Sequence, residues 1–277
     1  MSVREYFTPR SLPEAVDLLA RHEPDLLVMA GGTVAMPLIN DGISLPELVM
    51  SLRHVGLDRI EERPDGLAIG AATTLSQLAA QDALPLLAEA ARNTASWAIR
   101  NMATVGGNLF TPPPGGDVAV ALLCLDARVR LVGAKGERVL PLADFYTGFM
   151  STALAQDELL AEILVPSARS ETAFVKFGRR HANTPAVVTV AVALERRDGR
   201  IAAARIALGA VGPHPIRATA AEAALVGTAL EPAAIEQAAE AATRDCRPFT
   251  DAIATEWYRR RMVGVFVRRA LNAAKAD

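Results

Sequence analysis

An α+β architecture follows from three observations on the 277-residue sequence. Short apolar runs of strand length alternate with helical patterns up to Val165, and a polar, proline-started stretch from Pro166 to Glu171 then breaks the pattern. Beyond it, three strand-like runs lead into alanine-rich helices. The chain therefore divides into two α/β parts, 1–55 and 56–166, and a small antiparallel sheet with a helical C-terminal domain, 172–277.

In the first part, Ser11-Leu12-Pro13-Glu14 has the form of a capping box. It opens a helix that ends near His22 and turns Ala15, Val16, Leu18 and Leu19 to one apolar face. Leu26 to Ala30 is a buried strand running into Gly31-Gly32-Thr33, after which VAMPLIN resumes helical character; Glu47 to Leu52 is a second strand. In the second part, Pro64-Asp65-Gly66 is a turn, Leu67 to Ala72 a strand, and Thr74 caps the helix LSQLAAQ. A helix from about Leu84 is expected to end at Ile99-Arg100, before Gly106-Gly107-Asn108 turns the chain. The stretch Pro112-Pro113-Pro114-Gly115-Gly116 is then a stiff loop that delivers Asp117 to the N-terminus of the apolar helix VAVALLCL. Arg128 to Val132 and Glu137 to Leu140 form a hairpin, and Glu158 to Val165 is a strand stopped by Pro166. In the last part, Thr172 to Gly178, Ala186 to Arg196 and Ile201 to Val211 are strands, the latter two joined by an Asp198-Gly199 turn. Helices follow at about 218–225, 232–244 and 255–274, and no repeat of fixed period is present.

With 51% apolar and 22% charged residues, the chain can bury two or three compact cores. A net charge of −2 and 5% aromatic residues give no footprint for nucleic acid. Cys124 and Cys246 belong to no CxxC or Cys/His cluster, so reduced thiols are expected and the chain lacks the ligands for an iron–sulfur cluster of its own. No apolar run reaches the roughly 18 residues of a membrane span, and the opening residues lack a signal-peptide core, so a cytoplasmic location is expected. His22, His54, His181 and His214 are scattered, and there is no nucleophile elbow. The last helix carries Arg259, Arg260, Arg261, Arg268 and Arg269, read as a solvated face or as a docking surface for an acidic partner.

Two stretches carry the chemistry, Ala30 to Ala35 and Thr104 to Asn108. Adjacent glycines let consecutive N–H groups converge without Cβ obstruction, which is what gripping a phosphate oxygen by main chain requires. In the first stretch the order strand, Gly-Gly, hydroxyl, helix start points N–H groups at an anion. In the second, Asn108 adds an amide donor and Thr104 a hydroxyl. Neither fits the dinucleotide or P-loop fingerprints, and such turns also serve as plain tight connections. Asp117 is in the same way either a helix cap or a ligand.

Taken with AGGTVAMPL at 30–38 and IRNMATVGGN at 99–108, the segments YFTPRSLPEAVDLLA, IGAATTLSQL, LPLADFYTGFMSTAL, GAVGPHPIRA and YRRRMVGVFVRRAL occur in a family's order. Across essentially its whole length, the chain resembles the FAD-binding medium subunit of molybdenum hydroxylases. That family includes carbon monoxide dehydrogenase medium chains and the flavin domain of xanthine dehydrogenases. The resemblance implies a two-part FAD-binding α/β domain of the PCMH type. In it Ala30, Gly31, Gly32, Thr33, Val34 and Ala35, and then Thr104, Val105, Gly106, Gly107 and Asn108, hold the FAD pyrophosphate. It further implies that Asp117 accepts a hydrogen bond from a nucleotide hydroxyl and that Leu160 lies beside the flavin or adenine. Lys176 would sit near the ring system and stabilise negative charge on the reduced ring. Two departures stand out: Asn183-Thr184-Pro185 replaces an aromatic residue that many relatives place before the next strand, and the TPPPGGD loop is unusually rich in proline.

The function implied is that of an electron-transfer flavoprotein subunit with no catalytic residue of its own for substrate. A large subunit would carry the molybdenum cofactor and a small one two [2Fe–2S] clusters, in a dimer of heterotrimers. FAD in this chain would receive electrons and pass them to an external acceptor. The rivals are a stand-alone FAD-dependent oxidoreductase of the related oxidase fold, for which no acid/base pair is evident, and an assembly subunit that has lost FAD, against which the intact glycines argue. Gly107→Val is expected to weaken FAD binding with the fold intact, and Asp117→Asn to weaken it less.

Overall fold

The computed structural model describes residues 3–113, 115–167 and 170–274. Pro114 of the triple proline and residues 168–169 of the expected boundary stretch lie outside the described residues. Strand β1 (Glu5–Phe7), helix α1 (Leu12–His22), strand β2 (Leu26–Met29), helix α2 (Ala35–Asn40) and strand β3 (Leu48–Ser51) build a three-stranded parallel sheet of order β1-β3-β2. Ala15, Val16 and Leu19 of α1 share a core with Leu26, Leu48 and Met50. Ser11 accepts a hydrogen bond from the Glu14 N–H at 3.3 Å, but the Glu14 carboxylate reaches past it to the Arg10 N–H at 2.7 Å, so the capping box is closed one residue early. Helix α2 is short and buries none of its residues.

The second part contains β4 (Ile60–Arg63), β5 (Gly66–Gly70), α3 (Leu75–Ala79), α4 (Pro85–Arg92), α5 (Trp97–Arg100), α6 (Val105–Leu109) and α7 (Asp117–Cys124). It continues through β6 (Arg128–Gly133), β7 (Gly136–Pro141), α8 (Leu142–Phe145), β8 (Tyr146–Gly148), β9 (Ser151–Thr152) and β10 (Glu158–Pro166). A five-stranded sheet of order β4-β5-β10-β6-β7 and the small β8-β9 pair result, all antiparallel. Two local expectations change. The helix expected from Leu84 to Arg100 is two helices, broken where Ala95 takes a φ of +52°. The break is held by Ser96, which caps α5, and by Arg100 Nη1, which donates to the carbonyls of Arg92, Thr94 and Ala95 at 3.0–3.1 Å. Nor is Gly106-Gly107-Asn108 a turn: it lies inside α6, because Thr104 caps that helix and accepts the Gly107 N–H at 3.0 Å. A cap hydroxyl closes the first helical turn, and with the Val105 and Gly106 N–H groups bonded to Thr73 O and Ala71 O it offsets the poor helix propensity of two glycines.

The last part holds β11 (Glu171–Gly178), β12 (Ala186–Arg197), β13 (Arg200–Gly209), β14 (Ile216–Arg217), α9 (Thr219–Leu225), α10 (Pro232–Asp245) and α11 (Glu256–Ala274). Its antiparallel sheet runs β11-β12-β13-β14. Along β12 the alternation sorts by size. Val188, Val190, Val192 and Leu194 pack with the three helices, whereas Ala191 and Ala193 join the core around α7. Small side chains on that face, and Gly209, where a Cβ would lie 2.5 Å from Val120 Cγ2, let the fully buried α7 press against the sheet. So α7 lies between the C-terminal sheet and helices α4 and α6, and its first residue, Asp117, is bonded to β11 and β12.

The solvated-face expectation for α11 fails at Arg259, whose side chain is 0% exposed. Its Nη1 donates to the carbonyls of Ala186, Val187 and Ala210 at 2.8–3.0 Å, and its Nη2 to both oxygens of Asp251 at 2.8 Å. A buried guanidinium is tolerable because a carboxylate and three carbonyls replace its water. No helix among the described residues is long and apolar enough to cross a membrane, and no group of three potential metal ligands occurs among them.

Candidate functional site: a cavity between the glycine segments and the C-terminal sheet

The two glycine segments lie against each other, and the four glycines have different reasons to be glycine. A Cβ on Gly31 would lie 1.9 Å from the Met102 carbonyl oxygen, and one on Gly106 2.7 Å from that of Ala71. These two positions are set by close backbone approach. Gly32 takes a φ of +69°, and a Cβ on Gly107 would meet only Thr104 Oγ1, at 3.0 Å. Gly107 therefore faces open space.

That space is a cavity of about 780 Å³. Its walls include Ala30 to Ala35 on one side, Thr104, Gly106, Gly107, Asn108 and Asp117 on another, and Leu160 and Lys176 beyond them. Of the sequence-derived candidates only Val105 is not brought to it; that side chain is fully buried in the core around α7. Asn183, Thr184 and Pro185 form part of the wall, and none of the four histidines does. Leu160 reaches it from a bulge in β10, where the register against β6 slips between Leu160 and Glu162.

The two segments differ in what their backbone offers. Among the described residues the N–H groups of Gly31, Gly32, Thr33 and Val34 donate to nothing. In the second segment the N–H groups from Val105 to Asn108 are all used within the protein: Val105 donates to Thr73 O, Gly106 to Ala71 O, Gly107 to Thr104 Oγ1 and Asn108 to Thr104 O, all at 2.8–3.0 Å. Free donors of the kind that a main-chain anion site requires are therefore present in the first segment, whereas those of Val105 to Asn108 are spent within the protein. In the second, Gly106 allows close packing on Ala71 and Gly107 leaves the cavity open. Asn108 turns its oxygen inward, accepting the Ala119 N–H at 3.0 Å, and so caps α7. That cap frees Asp117 from the task.

Asp117 instead meets Lys176. The Lys176 ammonium donates to Asp117 Oδ2 at 2.6 Å and to the Asn93 carbonyl at 3.0 Å, and Thr189 Oγ1 donates to Asp117 Oδ1 at 2.9 Å. Both charged side chains are only 7% exposed. Burial pushes the Asp117 carboxyl above the usual carboxylate range, and the Lys176 charge and the two hydrogen bonds pull it partly back. Sequence reading missed Asn93 and Thr189. The first acts through its carbonyl, which no side-chain pattern reveals, but Thr189 left a signal: it is the one polar residue in the apolar run AVVTVAVAL.

An unpartnered run of N–H groups, an open position at Gly107 and a deep ion pair in one large, mostly apolar cavity fit an anionic dinucleotide carrying a flat ring. The comparisons agree. Residues 1–168 match the model of the FAD binding domain in molybdopterin dehydrogenase, and residues 173–274 that of the CO dehydrogenase flavoprotein C-terminal domain. The chain is 34% identical to the carbon monoxide dehydrogenase medium chain of Afipia carboxidovorans, over 98% of this chain and 96% of that one. It is 32% identical to the nicotine 6-hydroxylase medium subunit of Paenarthrobacter nicotinovorans, over 98% and 97%. The solved carbon monoxide dehydrogenase of Hydrogenophaga pseudoflava that lacks the Mo-pyranopterin moiety superposes with a TM-score of 0.94 at 35% identity, covering 99% of this chain and 98% of that one. With both matched regions in order along nearly the whole length, the chain belongs to the family of FAD-binding medium subunits of molybdenum hydroxylases.

Proposed function

We propose that the chain is the flavin subunit of a heterotrimeric molybdenum hydroxylase, with residues 1–55 and 56–166 holding FAD and residues 172–277 closing the site. The free N–H groups of residues 31–34 carry this reading, because four adjacent main-chain donors beside a cavity have no protein acceptor to serve. They receive the pyrophosphate, and Ala30 and Ala35 flank them. Thr104, Gly106, Gly107 and Asn108 shape the opposing wall, while Leu160 offers an apolar contact and Lys176 a cation. Val105 supports that wall from the core. When bound, FAD supplies the redox chemistry that links [2Fe–2S] clusters of a small partner subunit, themselves fed by a molybdenum cofactor in a large one, to an external acceptor. This chain's residues bind the cofactor, orient it and exclude water from its buried side.

Anaerobic mixing with the reduced iron–sulfur subunit tests the electron route. Bleaching of the flavin band of the FAD-loaded chain is expected, with its return on addition of an acceptor. A flavin band that stays unbleached in the assembled complex contradicts the assignment.

A further inference from the structure

The chain contains three lysines, Lys135, Lys176 and Lys275, and meets nearly every other demand for a cation with arginine. Even the fully buried cation of α11, Arg259, is an arginine. At Lys176 the acceptors are Asn93 O, just past the end of α4, and the Asp117 carboxylate at the start of α7. A compact ammonium with three tetrahedral donors suits that geometry, and two of the three are taken by the protein. The side chain lines the cavity, so the third has the cavity as its outlet.

The direction of that third donor depends on where the Asp117 carboxylate is held. Asp117 Oδ2 accepts from Lys176, and the other oxygen accepts from Thr189 Oγ1 at 2.9 Å. Thr189 is 1% exposed and does not line the cavity, so it cannot touch a ligand there. It lies opposite Lys176 in the β11-β12 register, which places both on the same face of the sheet. A valine would have filled this apolar strand position with the same shape, and the hydroxyl has one partner, Asp117. We propose that Thr189 is a positioning residue: it fixes the Asp117 carboxylate, which aims the Lys176 ammonium so that its remaining N–H donates to an acceptor of the bound flavin. This rests on the FAD reading above.

The test compares Thr189→Val with Thr189→Ser in the full chain, by two readouts. The first needs no cofactor: a proton–nitrogen correlation spectrum selective for lysine ammonium groups. A buried, hydrogen-bonded ammonium exchanges slowly enough to be seen, whereas exposed Lys135 does not. The wild-type Lys176 signal is expected to broaden away in Thr189→Val and to persist in Thr189→Ser. The second is the Kd for FAD, expected to rise about tenfold in Thr189→Val, as for the loss of one hydrogen bond to a charged group, and to return to within about twofold of wild type in Thr189→Ser. An unchanged ammonium signal in Thr189→Val overturns the proposal, as does a persisting loss of FAD affinity in Thr189→Ser. If the wild-type chain shows no FAD binding, the cofactor assignment fails, and with it the aim at a flavin, while the ammonium spectrum still decides whether Thr189 holds Lys176.

Discussion

Gly107→Val is expected to weaken FAD binding by roughly ten- to a hundredfold while leaving the melting temperature close to wild type, and Gly106→Val to do the reverse. The two glycines are neighbours in α6, but a Cβ on Gly107 meets one hydroxyl at 3.0 Å, and one on Gly106 meets the Ala71 carbonyl at 2.7 Å and the Ala71 Cβ at 2.8 Å. At Gly107 the new side chain extends into the cavity, where it takes volume from the ligand at an overpacking cost of about 1–3 kcal/mol, which is that range of affinity. At Gly106 the clash is with the protein's own backbone, whose N–H to Ala71 O hydrogen bond would also be strained. That substitution is expected to cost stability at the upper end of the same range, about 3 kcal/mol. Thermal unfolding and flavin titration of the pair separate the two effects. Equal loss of affinity and equal loss of stability in both variants would contradict the division of labour.

Lys176→Met is expected to destabilise the chain by about 3–5 kcal/mol at neutral pH, because it leaves the Asp117 carboxylate buried with no counter-charge. The cost should shrink on acidification. The Asp117 carboxyl is already raised by burial, and the Lys176 charge is one of the influences that lower it, so removing the lysine raises it further. A group whose folded-state pKa lies above its unfolded value contributes stability below the unfolded pKa and loses it as pH rises through the folded one. The variant, with the larger rise, is therefore penalised most at neutral pH and least below the carboxylate range. Denaturant unfolding of both proteins across that range checks it, and a gap that widens toward acid would refute it. The geometry also revises the expectation for Asp117→Asn: the carboxylate partners a buried ammonium, so an amide replaces half of an ion pair as well as one hydrogen-bonding arm.

Much of the architecture was legible because alternation and punctuation are local. The Asp198-Gly199 turn joins β12 to β13 with both residues at positive φ, as its two residue types suggest. What was not legible depended on partners that no local pattern of residue types announces. The break at Ala95 is held by Arg100, the burial of Arg259 by Asp251 and three backbone carbonyls, and the length of β1 by a parallel neighbour far along the chain. In the candidate site, the glycine segments and Asp117 were visible as residue types, but not the use to which each backbone donor is put. Gly31 and Gly106 are both pressed against neighbouring backbone, and what separates the two segments is whether an acceptor lies within reach of the N–H: Ala71 O serves Gly106, and nothing among the described residues serves Gly31.

The measurement that bears most directly on the cavity as a flavin site is titration of the purified chain with FAD, followed by quenching of flavin fluorescence. Saturable binding of one FAD per chain is expected, with the affinity lost on Gly107→Val and the fold retained. A folded chain that shows no saturable binding, or binding that Gly107→Val leaves unchanged, would contradict it.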